Sequence, residues 1–422
     1  MSDQREIEVY AHWDGIREPR LMGLLFANPS RGQEIFSFEY DGEWLDSAQR
    51  VQLDPTLGFY AGPQYPSAGK VNFGVFFDSC PDRWGRVLMR RREAQMARDE
   101  GRNERRLLES DYLLGVHDGH RMGALRFRTG GPFLDDNDEL AAPPWTSLRD
   151  LEHACLQLEQ DDADSNPNYG RWLRMLIAPG GSLGGARPKA SVLDQQGRLW
   201  IAKFPSRRDD DDVGAWESVV HELGKRAGVV VPAAQLRLFG STHHTFLSRR
   251  FDRTEAGQRL HFASAMTLLE CNDGDDAEDG VSYLDLVDLL VRLGANTASD
   301  LEQLWRRIVF FVCVSNTDDH LRNHGFMLTD SGWALAPAYD MNPDPHGEGL
   351  KLNISESDNA QNLELVLEVA ADFRLKGPHA KKIVNETVAV VAAWREVASA
   401  TGLSKACQDR MRRAFRVADK WA

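Results

Sequence analysis

Two hydrophobic rhythms divide this chain. Near the start, Ile7, Val9 and Ala11 alternate with Glu8 and Tyr10, and Ile35-Phe36-Ser37-Phe38-Glu39-Tyr40 is rich in strand formers. The spacing predicts short strands over residues 6–40, with Asn28-Pro29-Ser30-Arg31-Gly32 as the loop between them. From about Asp82 to Arg106 the pattern turns helical and arginine-rich. Gly130-Gly131-Pro132 and the polar stretch Asp135–Pro144 mark a boundary, followed by a predicted helix near Ser147–Glu159 and the acidic loop Asp161–Asp164. Leu173–Ile177, Ala190–Leu193 and Leu199–Phe204 read as strands, the last two joined by a turn at Gln195-Gln196-Gly197. The run Asp209–Asp212 reads as a solvated loop, and Trp216–Ala227 as a helix closed by Gly228. Short strands then continue to Arg250. Beyond about residue 280 the pattern is helical: Tyr283–Leu293, a helix through Val314 opened by the capping box Ser299-Asp300-Leu301-Glu302, and two helices near Lys381–Trp394 and Ser404–Lys420. The fold class implied is α+β and two-lobed, strand-rich ahead of an all-helical C-terminal lobe.

Composition narrows the class. The chain has 422 residues, 42% hydrophobic and 27% charged, as in a globular protein of two or three domains. No apolar run of about 18 residues predicts a spanning helix, so no membrane partner is expected, and the N-terminal segment lacks the pattern of a signal peptide. Five scattered cysteines (Cys80, Cys155, Cys271, Cys313, Cys407) form no CxxC pair, which fits a reduced cytoplasm. The formal net charge of −14 repels polyanions, so contact with DNA is expected to be local or through a partner.

Candidate chemistry concentrates in Ser315-Asn316-Thr317-Asp318-Asp319-His320-Leu321-Arg322-Asn323, with Tyr339-Asp340 one hairpin-sized segment later. Phosphoryl transfer needs such a set. One carboxylate, Asp318, orients the attacking hydroxyl, while an amide oxygen and a second carboxylate, Asn323 and Asp340, hold magnesium against nucleotide phosphates. Asp319 rivals Asp318 for the first role, and the five-residue interval to Asn323 favours Asp318. Four glycines within Gly180–Gly185 free backbone N–H groups to approach phosphate, with Lys189 adding a point charge; such loops are also often plain hairpins. Lys203, ending an apolar strand, is placed to reach the α- and β-phosphates, or else snorkels at the strand end. Glu217 either pairs with Lys203 or is an ordinary exposed glutamate. His320 and His324 have the i, i+4 spacing of a metal pair, but no third ligand stands at a useful spacing. The arginines between Arg83 and Arg106 are interleaved with Asp82, Glu93, Asp99, Glu100 and Glu104, which favours a salt-bridged solvated helix over a phosphate-backbone site and leaves a partner face open.

These segments resemble the HipA family, serine/threonine kinase toxins of bacterial type II toxin–antitoxin modules. The likeness covers nearly the whole chain. It is carried by Phe77-Asp78-Ser79-Cys80-Pro81-Asp82-Arg83-Trp84-Gly85-Arg86 and Arg121-Met122-Gly123-Ala124-Leu125-Arg126-Phe127, which are similar to the N-terminal subdomain. In the kinase core it is carried by Gly184–Lys189, Lys203-Phe204-Pro205, Arg250-Phe251-Asp252-Arg253 and Thr317–Asn323. The resemblance implies a protein-kinase-like fold with an N-terminal subdomain over 1–130, a kinase N-lobe-like region over 145–253 and a C-lobe over 254–422. It implies catalysis by Asp318 and magnesium ligation by Asn323 and Asp340. The implied ATP-binding residues are Gly184, Gly185, Ala186, Arg187, Pro188, Lys189, Lys203, Arg249, Arg250, Phe251, His320, Leu321, Arg322, Asn323, Tyr339 and Asp340, with Phe251 packing on adenine. Ser182 falls where family members autophosphorylate, and a phosphate there would add about two negative charges to a loop built for nucleotide phosphates, which shuts the enzyme off. One departure is Arg249, where some members carry an acid. The implied partners are a HipB-type helix-turn-helix antitoxin, operator DNA bound through it, and a protein substrate such as glutamyl-tRNA synthetase. Two other classes share parts of this pattern, a small-molecule phosphotransferase and a non-catalytic co-repressor.

Overall fold

The computed structural model describes residues 4–133, 142–177, 185 and 187–421. The chain forms two compact units, Met1–Arg208 with Asp252–Ala263, and Asp209–Phe251 with Ser264–Ala422.

In the first unit, β1 (Arg5–Ala11), β2 (Arg20–Ser30), β3 (Gln33–Tyr40) and β4 (Leu125–Arg128) make an antiparallel sheet in the order β3-β2-β1-β4. The expected alternation holds in β1, where Ile7, Val9 and Ala11 are fully buried. Asn28, Pro29 and Ser30, expected in a loop, instead extend β2, with Pro29 opposite Glu34. Only Arg31 and Gly32 turn the chain, at φ of 49° and 80°; two positive-φ residues form the tight turn whose twist matches the flanking strands. Gly23 is required where it stands, because a Cβ there would lie 2.1 Å from the Glu39 carbonyl oxygen.

Helix α1 (Arg83–Asp99) starts at Asp82, whose carboxylate accepts from Gly85 N–H. The salt-bridged reading of its arginines holds: buried Glu93 accepts from Arg102 and Arg105, Arg86 pairs with Glu109, and Arg98 with Asp164. Helices α2 (Leu148–Leu158) and α3 (Tyr169–Ile177) follow. The expected strand at Leu173–Ile177 is therefore the end of a helix. Tyr169, Trp172, Leu173 and Leu176 are buried while Arg171 and Arg174 stay exposed, a 3.6-residue period that α3 buries against α2 and α1. The hairpin of β5 (Lys189–Leu193) and β6 (Leu199–Lys203) is as expected, with Lys189 opposite Lys203. Residues 252–263 join this unit through Gly123 N–H donating to Asp252, and through Arg259 paired with fully buried Asp118.

The second unit opens with α4 (Val213–Arg226), closed by Gly228 at φ 82°. It starts earlier than expected, because Asp212 leaves the solvated run and caps it, accepting from Ala215 N–H and His244 N–H. A hairpin of β7 (Ala234–Arg237) and β8 (Thr245–Arg249) follows. Helix α5 (Tyr283–Leu293) carries a capping box between Ser282 and Asp285. Helix α6 (Thr297–Val314) begins at Asn296 and not at the expected Ser299, since the neighbouring Asp300 carboxylate serves Leu335 N–H instead. The C-terminal region is mainly but not wholly helical: β9 (Gly325–Thr329) and β10 (Gly332–Leu335) form a hairpin within it. Helices α7 (Gly377–Ala392) and α8 (Trp394–Ala400) divide what was expected as one helix, and the last helical stretch is broken at Arg412–Phe415. The core gathers around α6, whose residues Ile308–Val314 are all buried, and around Trp394 stacked on Phe415 at 4.3 Å and 10°. Among the described residues no helix is long and apolar enough to cross a membrane.

Candidate functional site

Helix α6 is apolar on nearly every side and ends abruptly. Ser315 takes the left-handed conformation at φ 49° and its N–H returns to Phe311 O. Its hydroxyl is fixed between Ala414 O at 2.8 Å and Gln361 at 2.9 Å. The loop that follows is closed on itself. His320 N–H donates to Asp318 O, Asn323 N–H to His320 O, and Asn323 Nδ2 to Asp318 O at 3.1 Å. A polar loop is thus held by a packed helix, which is the support a positioned reactive group needs.

The two neighbouring aspartates have opposite surroundings. Asp319 is buried, and its Oδ2 accepts from Tyr283 OH at 2.6 Å and from His324 Nε2 at 2.7 Å. Burial pushes the Tyr283 hydroxyl well above its ordinary value, with the Asp319 charge adding to the effect. Fully buried Arg307 is pushed down to about 10 by desolvation, against the opposing charge of Asp319. Asp318 is exposed. Asp319 is committed to the interior, and Asp318 is the carboxylate open to a substrate.

Asp340 sits on a separate segment at φ 57°, a conformation that an aspartate adopts only when its surroundings impose it. Two hydrogen bonds impose it. Asn342 N–H donates to Asn316 Oδ1 at 2.9 Å, and Tyr339 OH donates to Arg322 O at 2.6 Å. They fasten the Asp340 segment to the Asp318–Asn323 loop. Buried Asn323 Oδ1 accepts no hydrogen bond. An orphaned amide oxygen beside a loop-held carboxylate matches a hard divalent cation, which takes oxygen ligands. No group of three or more His, Cys, Asp or Glu side chains poised for a metal occurs among the described residues, which agrees with setting the His320/His324 pair aside; His324 is buried against Asp319.

The other predicted residues fall as follows. In the second unit, Phe251 and Tyr339 lie ring to ring at 5.5 Å and 35°. Arg249 is half-buried at the end of β8, Arg250 is buried, Leu321 is buried, His320 is half-buried, and Arg322 is 3.7 Å from Asp273. Glu217 is buried on α4, which removes the exposed-glutamate alternative. In the first unit, Gly185 has φ 82°, Arg187 is half-buried, and Pro188 O accepts from Phe204 N–H. Lys203 is half-buried opposite Lys189. Lys189 is buried, with its ammonium 3.2 Å from Asp82 and 3.5 Å from Gly185 O. Like charges opposite one another in a hairpin are destabilising, and Asp82 relieves this pair. Ser182, Gly184 and Ala186 lie outside the described residues. Sequence reasoning missed Asn316, Asn342 and Asp82 as fixing groups. No local spacing marks them, because each acts on a residue distant in the chain.

Residues 181–394 match the family model of the HipA-like C-terminal domain. A Haemophilus influenzae protein named only as a candidate kinase is 28% identical over 180 residues, which is 38% of this chain and 52% of the relative. The Sinorhizobium fredii protein Y4dM, also named as a candidate kinase, is 27% identical over 241 residues, 53% of this chain and 56% of that one. The chain thus spans about half the length of these curated relatives. Among solved structures, HipA from the Shewanella oneidensis MR-1 complex of HipA, HipB and operator DNA aligns with a TM-score of 0.67 at 15% identity, covering 98% of this chain and 97% of that one. The fold is accordingly the mixed α and β, kinase-like fold of HipA.

Proposed function

The chain belongs to the HipA family, and on that premise we propose that it is an ATP- and magnesium-dependent serine/threonine protein kinase, the toxin of a HipA/HipB-like module. The segments 1–130, 145–253 and 254–422 serve as N-terminal subdomain, N-lobe-like region and C-lobe. Asp318 orients the acceptor hydroxyl. The hydroxyl oxygen bonds to the γ-phosphorus as the bond from that phosphorus to the β–γ bridging oxygen breaks. ADP departs with the bond's electron pair, and the hydroxyl proton passes to the Asp318 carboxylate.

Asn323 and Asp340 are the residues that would hold magnesium, which supplies charge neutralisation at the phosphates when bound. The observation that carries this proposal is the orphaned Asn323 Oδ1 in a loop tied to the Asp340 segment. The Phe251–Tyr339 ring pair supports a planar adenine subsite. The two lysines facing each other across β5 and β6 support a polyphosphate-binding end, with Lys203 as the phosphate contact and Lys189 set by Asp82. Gly184–Pro188, Arg249, Arg250, His320, Leu321 and Arg322 complete the proposed nucleotide contacts. Ser182 is proposed as the inhibitory autophosphorylation site, and the substrate as a cytoplasmic protein of the aminoacyl-tRNA synthetase class.

Incubation with γ-labelled ATP, magnesium and host extract tests the proposal. A labelled protein band from the wild type, absent with Asp318→Ala, is expected. A labelled metabolite in place of a protein band refutes protein-kinase activity. Phosphopeptide mapping checks Ser182, and co-purification with a small helix-turn-helix protein that retards operator DNA checks the partner.

A further inference from the structure

Lys351 lies on a segment whose side chains alternate. Leu350, Leu352 and Ile354 are buried, so Lys351 projects from the opposite side and keeps 38% of its side-chain surface exposed. The segment is fixed to residues 276–283 by backbone bonds: Ala277 N–H to Lys351 O, Asn353 N–H to Val281 O, and Tyr283 N–H to Asn353 O, each 2.9 Å. Asn353 Nδ2 adds a bond to Ala277 O at 3.0 Å. Tyr283 is the residue that holds Asp319, the neighbour of Asp318. One continuous hydrogen-bonded frame therefore carries both Lys351 and the Asp318 loop.

The Lys351 ammonium is itself anchored, 2.6 Å from Asp276 Oδ2. That bond uses one of its three N–H donors. The ammonium is held above its ordinary value first by the Asp276 hydrogen bond, and then by the charges of Asp276, Asp318 and Glu278. The charge of Asp318 is thus felt at Lys351. An isolated exposed Lys–Asp pair contributes little to a fold, and nothing in the backbone frame requires a cation at this position.

We propose that Lys351 is a further residue of the phosphoryl-transfer site, a fixed cation beside Asp318 that takes up negative charge on the phosphoryl group in transit. The inference rests on the kinase proposal above. In that reaction, charge spreads over three equatorial phosphoryl oxygens as they approach the Asp318 carboxylate. A cation already in place opposes that repulsion without reorganising at the moment of reaction. Asp276 acts as a positioning residue, fixing where the ammonium stands.

Binding of two magnesium-loaded probes tests this, ADP alone and ADP with aluminium fluoride, the latter an anionic mimic of the phosphoryl group in transit. Wild type binding ADP establishes the nucleotide site independently of Lys351. Lys351→Met is expected to bind ADP as wild type does and to lose about tenfold or more in affinity for the fluoride complex. Its kcat falls while the KM for ATP holds. Lys351→Arg is expected to regain most of the loss, and Asp276→Asn to show an intermediate one. Equal affinity of wild type and Lys351→Met for the fluoride complex, with matching thermal unfolding, overturns the inference and leaves the kinase proposal standing. Failure of wild type to bind ADP refutes the kinase proposal itself, and this inference with it.

Discussion

Replacing Asn323 by alanine separates the two demands placed on this residue. In the ligand-free fold, its buried Oδ1 has no donor, while its Nδ2 donates to Asp318 O at 3.1 Å. An unsatisfied buried acceptor costs about 1–3 kcal/mol, and a typical hydrogen bond contributes about 1 kcal/mol. Truncation relieves the first and loses the second, together with about 1 kcal/mol of packing around a small buried amide. These terms nearly cancel, so the ligand-free stability of Asn323→Ala is expected to stay within about 1 kcal/mol of wild type. The response to ligand is expected to differ sharply. With ATP and magnesium at about a hundred times the dissociation constant, wild type gains about 2.7 kcal/mol by mass action. Asn323→Ala is expected to gain only the part that needs no metal. Urea unfolding of both proteins, ligand-free and then with ATP plus either magnesium or a chelator, measures each term. A ligand-free loss above about 3 kcal/mol, the range of a disrupted buried network, would show that Oδ1 is already engaged in the fold. An undiminished magnesium response in the variant would refute its assignment as a ligand.

Other outcomes follow from the same geometry. Asp318→Asn, at an exposed position, is expected to leave stability within about 0.5 kcal/mol while transfer falls about 10²–10⁴-fold, read by unfolding and by labelled-ATP assay. Tyr283→Phe removes a buried donor to a buried carboxylate without changing the ring, so it is expected to cost about 1.5–3 kcal/mol in urea unfolding. His261 is buried against Trp13, and burial pushes its imidazole from 6.5 down to about 3. Its folded state stays neutral where the unfolded chain takes up a proton, so its contribution is fully present above pH 6.5 and is lost as pH falls toward about 3. The slope approaches 1.4 kcal/mol per pH unit. His261→Gln is expected to flatten the decline between pH 6 and pH 4 in an acid titration of unfolding midpoints, and an unchanged slope would refute the assignment.

What the sequence reveals depends on how local the deciding interaction is. The β1 alternation and the Ser282–Asp285 start of α5 are set within a few residues, and local pattern finds the first strand and the second helix. Leu173–Ile177 is a short apolar run that suits a strand as well as a helix, and only burial against α2 and α1 decides between them. Ser299 and Glu302 match a capping box, yet the neighbouring Asp300 is taken by Leu335 and the helix starts at Asn296. The Asp318–Asn323 interval is readable because both groups lie in one loop. The bonds that bring Asp340 to that loop run from Asn342 to Asn316 and from Tyr339 to Arg322, across 26 and 17 residues. No periodicity records them. Lys189 shows the reverse error. Its place in a glycine-rich segment suggests a phosphate contact, while the fold buries it against Asp82.

The adjacent pair Asp318-Asp319 condenses the physical logic of the site. Two like charges side by side in a loop are costly if both are buried, and useless for support if both are solvated. The fold gives each a different environment. Asp319 is taken into the interior, where Tyr283 and His324 supply hydrogen bonds and Arg307 supplies compensating charge. A buried carboxylate satisfied in this way resists displacement, because breaking one partner leaves the charge unpaired. The loop is thereby clamped one residue from Asp318, whose own carboxylate keeps its hydration and its freedom to accept a proton. Asn323 closes the other end of the loop on the Asp318 carbonyl. Rigidity thus comes from residues that never meet a substrate, and reactivity from the one between them. Exchanging the two environments would destroy both properties. Asp319→Asn is accordingly expected to lower both stability and transfer, whereas Asp318→Asn lowers transfer alone; equal stability losses in the two variants would refute this division of labour.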